Sequence, residues 1–124
     1  MRRLSGSELE KLEALALSVL EACKRELPIS VHEVAETTPT FFRPLASDAE
    51  SDEVSEDLLG EYVEFCDEAA ADGSGVIVLY LEAILAYCRS AGLSLEDEIK
   101  RTYLHELGHR LGWDEEDLAA RDLD

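Results

Sequence analysis

Near the start of the chain, Leu9, Leu12, Ala16, Val19 and Cys23 recur at steps of three and four with charged residues between them. That is the period of a helix with one apolar face. Ser7 followed by Glu10 reads as a capping box, so the spacing predicts an amphipathic helix from about 7 to 26, ended at Pro28. Ile29 to Val34 is short, β-branched and partly alternating, which predicts a strand, broken by Thr37 to Thr40 around Pro39. Leu59 to Phe65 is a second strand candidate, although Leu58, Leu59, Val63 and Cys66 also fit a helical stripe. The turn residues Asp72 to Gly75 introduce Val76 to Leu81, whose β-branching makes it the strongest strand in the chain.

After this strand, Glu82 to Arg89 fits a short helix that packs Leu85 and Cys88 and stops at Gly92. Ser94 with Asp97 caps another helix, whose buried stripe is Ile99, Tyr103, Leu104, Leu107 and Leu111 and whose end is marked by Gly112. The elements sum to an α+β fold, with about three strands, helices on one side, and a last helix carrying the chemistry.

Length and charge narrow the picture. A chain of 124 residues is one domain. It carries 11 Lys plus Arg against 29 Asp plus Glu, a formal charge of -18, which disfavours nucleic acid or an anionic membrane as partner. The longest apolar run, Val76 to Leu81, is far short of the roughly 18 residues of a membrane span. The apolar stretch that a signal peptide needs after Arg2 and Arg3 is interrupted by Glu8, Glu10, Lys11 and Glu13, so a cytoplasmic protein is expected. Cys23, Cys66 and Cys88 form no CxxC pair and read as buried reduced thiols. Acidic residues among Ser and Ala predict a mobile acidic surface loop at about 44–57, inside the single domain 1–124.

His105, Glu106, Leu107, Gly108 and His109 spell HExxH. Two histidines four apart on a helix lie about 40° apart around its axis and about 6 Å apart along it, so both imidazoles can turn toward one Zn2+ ion. Glu106 lies about 60° round on the other side of His109, where its carboxylate can act as general base on a water without binding the ion. The reaction implied is hydrolysis of an amide bond. The competing reading is a surface His, Glu, His triplet making i, i+4 contacts on a charged helix.

A catalytic zinc needs a third protein ligand, and only fifteen residues follow His109. Gly112 permits a left-handed turn back toward the metal, and Glu115 stands three residues beyond it, giving HExxHxxGxxE. This resembles the metzincin arrangement, but Met1 is the only methionine, so no Met-turn exists. The chain is more similar to the minimal zincin-like metallopeptidases, small bacterial HExxHxxG proteins, through Leu58 to Tyr62 (LLGEY), Ile77 to Tyr80 (IVLY) and His105 to Asp117 (HELGHRLGWDEED). The resemblance implies a small zincin-like domain, a zinc site on His105 and His109, Glu106 as base, and an acidic third ligand. Glu115 has the spacing; Asp114 and then Asp117 are the alternatives. The same acids also suit the N-terminus of a last helix.

His32 reads as a solvent-facing strand histidine. Tyr62, Tyr80 and Tyr103 are candidate oxyanion donors, with Tyr103 more suited to packing. Trp113 is expected to cover the end of the metal helix. Two functions follow. One is a zinc metallopeptidase acting on a peptide or protein, with basic chains favoured by the charge and the peptide laid along an edge strand. The other is an acidic protein-interaction module in which the metal only staples the fold or the site has no turnover.

Overall fold

A computed structural model describes residues 4–47, 54–55, 57–64, 75–113 and 116. Helix α1 spans Gly6–Glu26, and its capping box is Ser5 with Glu8. The Ser5 hydroxyl accepts the Glu8 N–H at 3.2 Å, and the Glu8 carboxylate accepts the Ser5 N–H at 3.3 Å. Ser7 and Glu10, with the same spacing, are therefore not the cap. The buried Glu82 carboxylate accepts the Leu4 N–H, and Leu4 packs against the core, so the chain is fixed just ahead of Ser5 and the helix starts there.

The expected strand at Ile29 to Val34 is instead helix α2, Ile29–Thr37. Pro28, with φ -57°, precedes it, and the Pro28 carbonyl accepts from both Val31 and His32 N–H. Val31, Val34 and Ala35 stand at i, i+3 and i+4 and turn one face to the core. Burial of that face outweighs the β-branched preference, which is only a weak prior. His32 is thus on a helix, half-buried, 3.8 Å from Glu36 one turn on.

Strand β1, Thr40–Arg43, begins at the last residue of the expected break and runs through residues for which no element was expected. It pairs in parallel with the later strand Gly75–Tyr80, with Thr40 opposite Ile77 and Arg43 opposite Tyr80. Residues Ala46–Ser47 (β2) and Val54–Ser55 (β3) pair antiparallel, so the two ends of the predicted acidic loop are pinned to each other; 48–53 and 56 lie outside the described residues. Strand β4, Gly60–Glu64, realises the strand reading of its segment over the helical one. It runs antiparallel to Gly75–Tyr80, which is β5 and the centre of a mixed sheet of order β1-β5-β4. Gly60 is required here: an added Cβ would lie 2.9 Å from Thr102 Cγ2 and 3.1 Å from the Val78 carbonyl oxygen.

Helix α3, Leu81–Ala91, follows β5 directly and ends at Gly92 in the left-handed region, φ 69°. Helix α4, Leu95–Arg110, begins at Ser94, whose hydroxyl accepts the Asp97 N–H at 3.4 Å. The main core joins Leu12, Ala16 and Leu20 of α1, Ile84 and Cys88 of α3, Ile99, Tyr103 and Leu107 of α4, and Ile77 and Leu79 of β5. Each such large side chain contributes roughly 1.5–3 kcal/mol by leaving water. Val78 and Tyr80, on the opposite face of β5, pack with Leu45, Ala46 and Ala83. The chain is a small α+β fold with four helices and a three-stranded mixed sheet among the described residues.

Cys23 and Cys88 are free and buried, and burial pushes both thiols above their ordinary range. Cys66 lies outside the described residues. Among the described residues no helix is long and apolar enough to cross a membrane.

Candidate metal centre

Helix α4 sorts its residues by face. Ile99, Tyr103 and Leu107, four apart, are buried in the core and hold the helix in place. Thr102 and Glu106 are buried too, while His105 and His109 are half-buried. Thr102, His105 and Glu106 border a recess together with Leu59 and Gly60. The missing side chain at Gly60 therefore lets α4 approach the edge of the sheet closely, and this brings the motif beside β4.

The two histidines converge. His105 Nε2 and His109 Nε2 are 3.2 Å apart, with ring centroids 4.9 Å apart and planes at 75°. Two nitrogens about 2.0–2.1 Å from one tetrahedral ion stand roughly 3.3–3.4 Å from each other, so the observed separation suits a shared metal. Glu106 completes a group in which one ligand atom from each of the three side chains lies within 4.8 Å of the others. Glu106 is only 7% exposed. Two imidazoles and a carboxylate grouped this closely are a nitrogen and oxygen donor set of the kind that suits a divalent cation.

The helix ends just beyond the second histidine. The Gly112 N–H donates to the His109 carbonyl at 3.0 Å and the Trp113 N–H to that of Gly108 at 2.9 Å, a Schellman closure with Gly112 at φ 83°. The predicted stop at Gly112 is thus present. Trp113 is half-buried and borders an apolar groove of about 360 Å³ with Leu27, Pro28, Val31 and Leu104. On the other side of α4, a cleft of about 940 Å³ is bounded by β4 through Gly60, Glu61, Tyr62 and Glu64, and by His105, Glu106, His109 and Arg110.

Of the residues singled out in the sequence, the structure brings His105, Glu106 and His109 together. Glu115, Asp114 and Asp117, the candidates for a third ligand, lie outside the described residues. Tyr62 lines the cleft. Tyr80 donates its hydroxyl to Glu61 Oε2 at 2.7 Å, and burial together with this bond pushes its proton affinity up to about 12. Tyr103 is fully buried, its hydroxyl has no hydrogen-bond partner among the described residues, and burial raises it well above the usual tyrosine value. It packs, as expected, and does not border the cleft. Glu61 and Arg110 stand in the sequence only as members of LLGEY and HELGHRLGWDEED, with no site role expected of them, and Glu64 belongs to no motif. Charge inside LLGEY and after HELGH was visible, but the strand register that brings Glu61 beside Tyr80 was not.

Comparison with known proteins adds a family. The profile of the zincin-like metallopeptidases matches residues 43–124, from the end of β1 through the HExxH helix to the C-terminus. No curated protein matches the chain.

Proposed function

The chain belongs to the zincin-like metallopeptidase family, and on that premise we propose that it is a zinc-dependent peptidase with Glu106 as its general base. The observation that carries this reading is the convergence of the two Nε2 atoms at 3.2 Å, with a buried carboxylate beside them in the wall of an open cleft.

His105 and His109 would hold the ion through Nε2, with an acidic third ligand: Glu115 by spacing, then Asp114 or Asp117. When bound, zinc supplies a Lewis acid that acidifies water to about neutral pH and polarises a carbonyl. Glu106 accepts the proton of the attacking water and delivers it to the leaving amine. In the described sheet β4 is an edge strand, paired with β5 on one side only. An extended peptide can add to its free edge, main chain to main chain, which sets the scissile bond beside α4. The substrate is a peptide or protein, and a charge of -18 favours basic and neutral chains over acidic ones.

The test is hydrolysis of an unstructured peptide library by the zinc-loaded protein and by Glu106→Gln. Cleavage by the first and none by the second, with zinc retained in both, supports the reading. If neither protein cleaves, the site has no turnover and the metal serves structure or binding. Equal cleavage by both removes Glu106 from its role.

A further inference from the structure

We propose that Glu61, oriented by Tyr80, selects a cationic side chain in the peptide that binds beside His105 and His109. The inference rests on the peptidase reading above and adds a specificity determinant to it.

The argument starts from register. Glu61 stands opposite Val78 in the antiparallel pair β4·β5, and Tyr80 is two residues farther along β5, so the side chains of Glu61 and Tyr80 emerge on the same face of the sheet. The Tyr80 hydroxyl reaches Glu61 Oε2 at 2.7 Å. Tyr80 is only 7% exposed and packs with Leu45, Val78 and Ala83, so its ring cannot drift. Its hydroxyl, pushed up to about 12, remains a proton donor at every pH at which the fold would operate. The bond engages Oε2, and because Glu61 shares the Tyr80 face of the sheet, opposite α4, its carboxylate meets those side chains of a β4-paired peptide that project to that face.

A free glutamate loses about 1.5–2 kcal/mol of rotamer freedom when a ligand fixes it. At Glu61 that ordering is largely complete before binding, the preorganisation that turns a surface charge into a selective contact. The cleft is also asymmetric. Glu61 and Glu64 lie along its β4 wall, and Arg110 lies at the end of α4. A peptide paired to β4 therefore meets the Glu61 carboxylate at the side chains that project to the Tyr80 face, where a lysine or arginine finds it already in position.

The experiment uses zinc-loaded Glu106→Gln protein, which binds without cleaving, and pairs of extended fluorescent peptides that differ only by arginine or its neutral isostere citrulline at one position. At the position facing Glu61, the arginine peptide is expected to bind about tenfold more tightly, the usual scale for a hydrogen bond to a charged group. Adding Glu61→Gln should bring the ratio of the two Kd values close to one. Tyr80→Phe should lower the ratio part of the way, because the charge stays and its orientation is lost. Glu61→Asp, which keeps the charge but shortens its reach, should act similarly and decides the matter if Tyr80→Phe does not fold. A ratio that survives Glu61→Gln, or that never departs from one at any position, overturns the proposal. Charge-selective binding by a wild-type protein that cleaves nothing would defeat the peptidase reading and leave this one standing. Cleavage with no charge preference would do the reverse.

Discussion

Helix α4 presents two faces built from the same few turns, and they obey opposite rules. On one, Ile99, Tyr103 and Leu107 are buried by apolar neighbours from α1, α3 and β5, and any well-packed hydrophobe could in principle serve. On the other, Thr102, His105, Glu106 and His109 sit against the open edge of a sheet, and residue identity decides everything. The comparison teaches that the polar face depends on the apolar one: two imidazoles can be held 3.2 Å apart only on a backbone that the core keeps still.

Substitutions on the two faces should therefore separate chemistry from stability. Glu106→Gln is expected to lower peptide hydrolysis by roughly 10²–10⁴-fold, the usual contribution of a general base, while thermal unfolding and zinc content stay near wild type. A parallel loss of stability would mean that Glu106 holds the fold as well. Leu107→Ala reverses the pattern. It should cost about 2–5 kcal/mol in denaturant unfolding, and the remaining folded protein should keep its affinity for zinc.

Gly60→Ala acts where the faces meet. The new Cβ would lie 2.9 Å from Thr102 Cγ2, pressing α4 away from β4, and the expected cost is about 1–3 kcal/mol together with weaker peptide binding. Peptide affinity equal to wild type would show that the cleft does not depend on this close approach.

The smallest expected effect is that of Tyr103→Phe, which removes a buried hydroxyl without a partner among the described residues and should leave stability unchanged or raise it by about 1 kcal/mol. It should also change the alkaline limb. Burial raises the proton affinity of Tyr103 and Tyr80 above the ordinary 10.0, so the folded chain keeps protons that the unfolded chain releases. The stability linked to them is fully present below pH 10.0 and is lost as pH rises past it, toward about 12 in the case of Tyr80. Urea midpoints measured across that range should fall less steeply in Tyr103→Phe than in wild type.

The same two faces explain what could be read from the sequence. Helix α4 was legible throughout because its signals agree: Ser94 and Asp97 at the cap, a four-residue apolar stripe, and Gly112 at the end. β5 was legible for a similar reason, a β-branched run behind glycines. At α2 the signals conflict. Ile29, Val31 and Val34 carry strand propensity, and the helical burial becomes evident only when Ala35, one residue beyond the assumed strand, is counted. β1 was hidden between Pro39 and Pro44, and its reason for being a strand is a parallel pairing with residues nearly forty positions later. Within the site, HExxH encodes its own geometry through helical spacing. The Tyr80 to Glu61 bond depends on a register that no local pattern reveals.

The central claim is that His105 and His109 close on one metal ion. Metal analysis of the purified protein beside His105→Ala and Glu106→Gln tests it most directly. The account predicts about one zinc per chain in wild type and in Glu106→Gln, and none in His105→Ala. A wild-type protein that takes up no zinc when the ion is supplied, or a His105→Ala variant that binds it equally well, would contradict it.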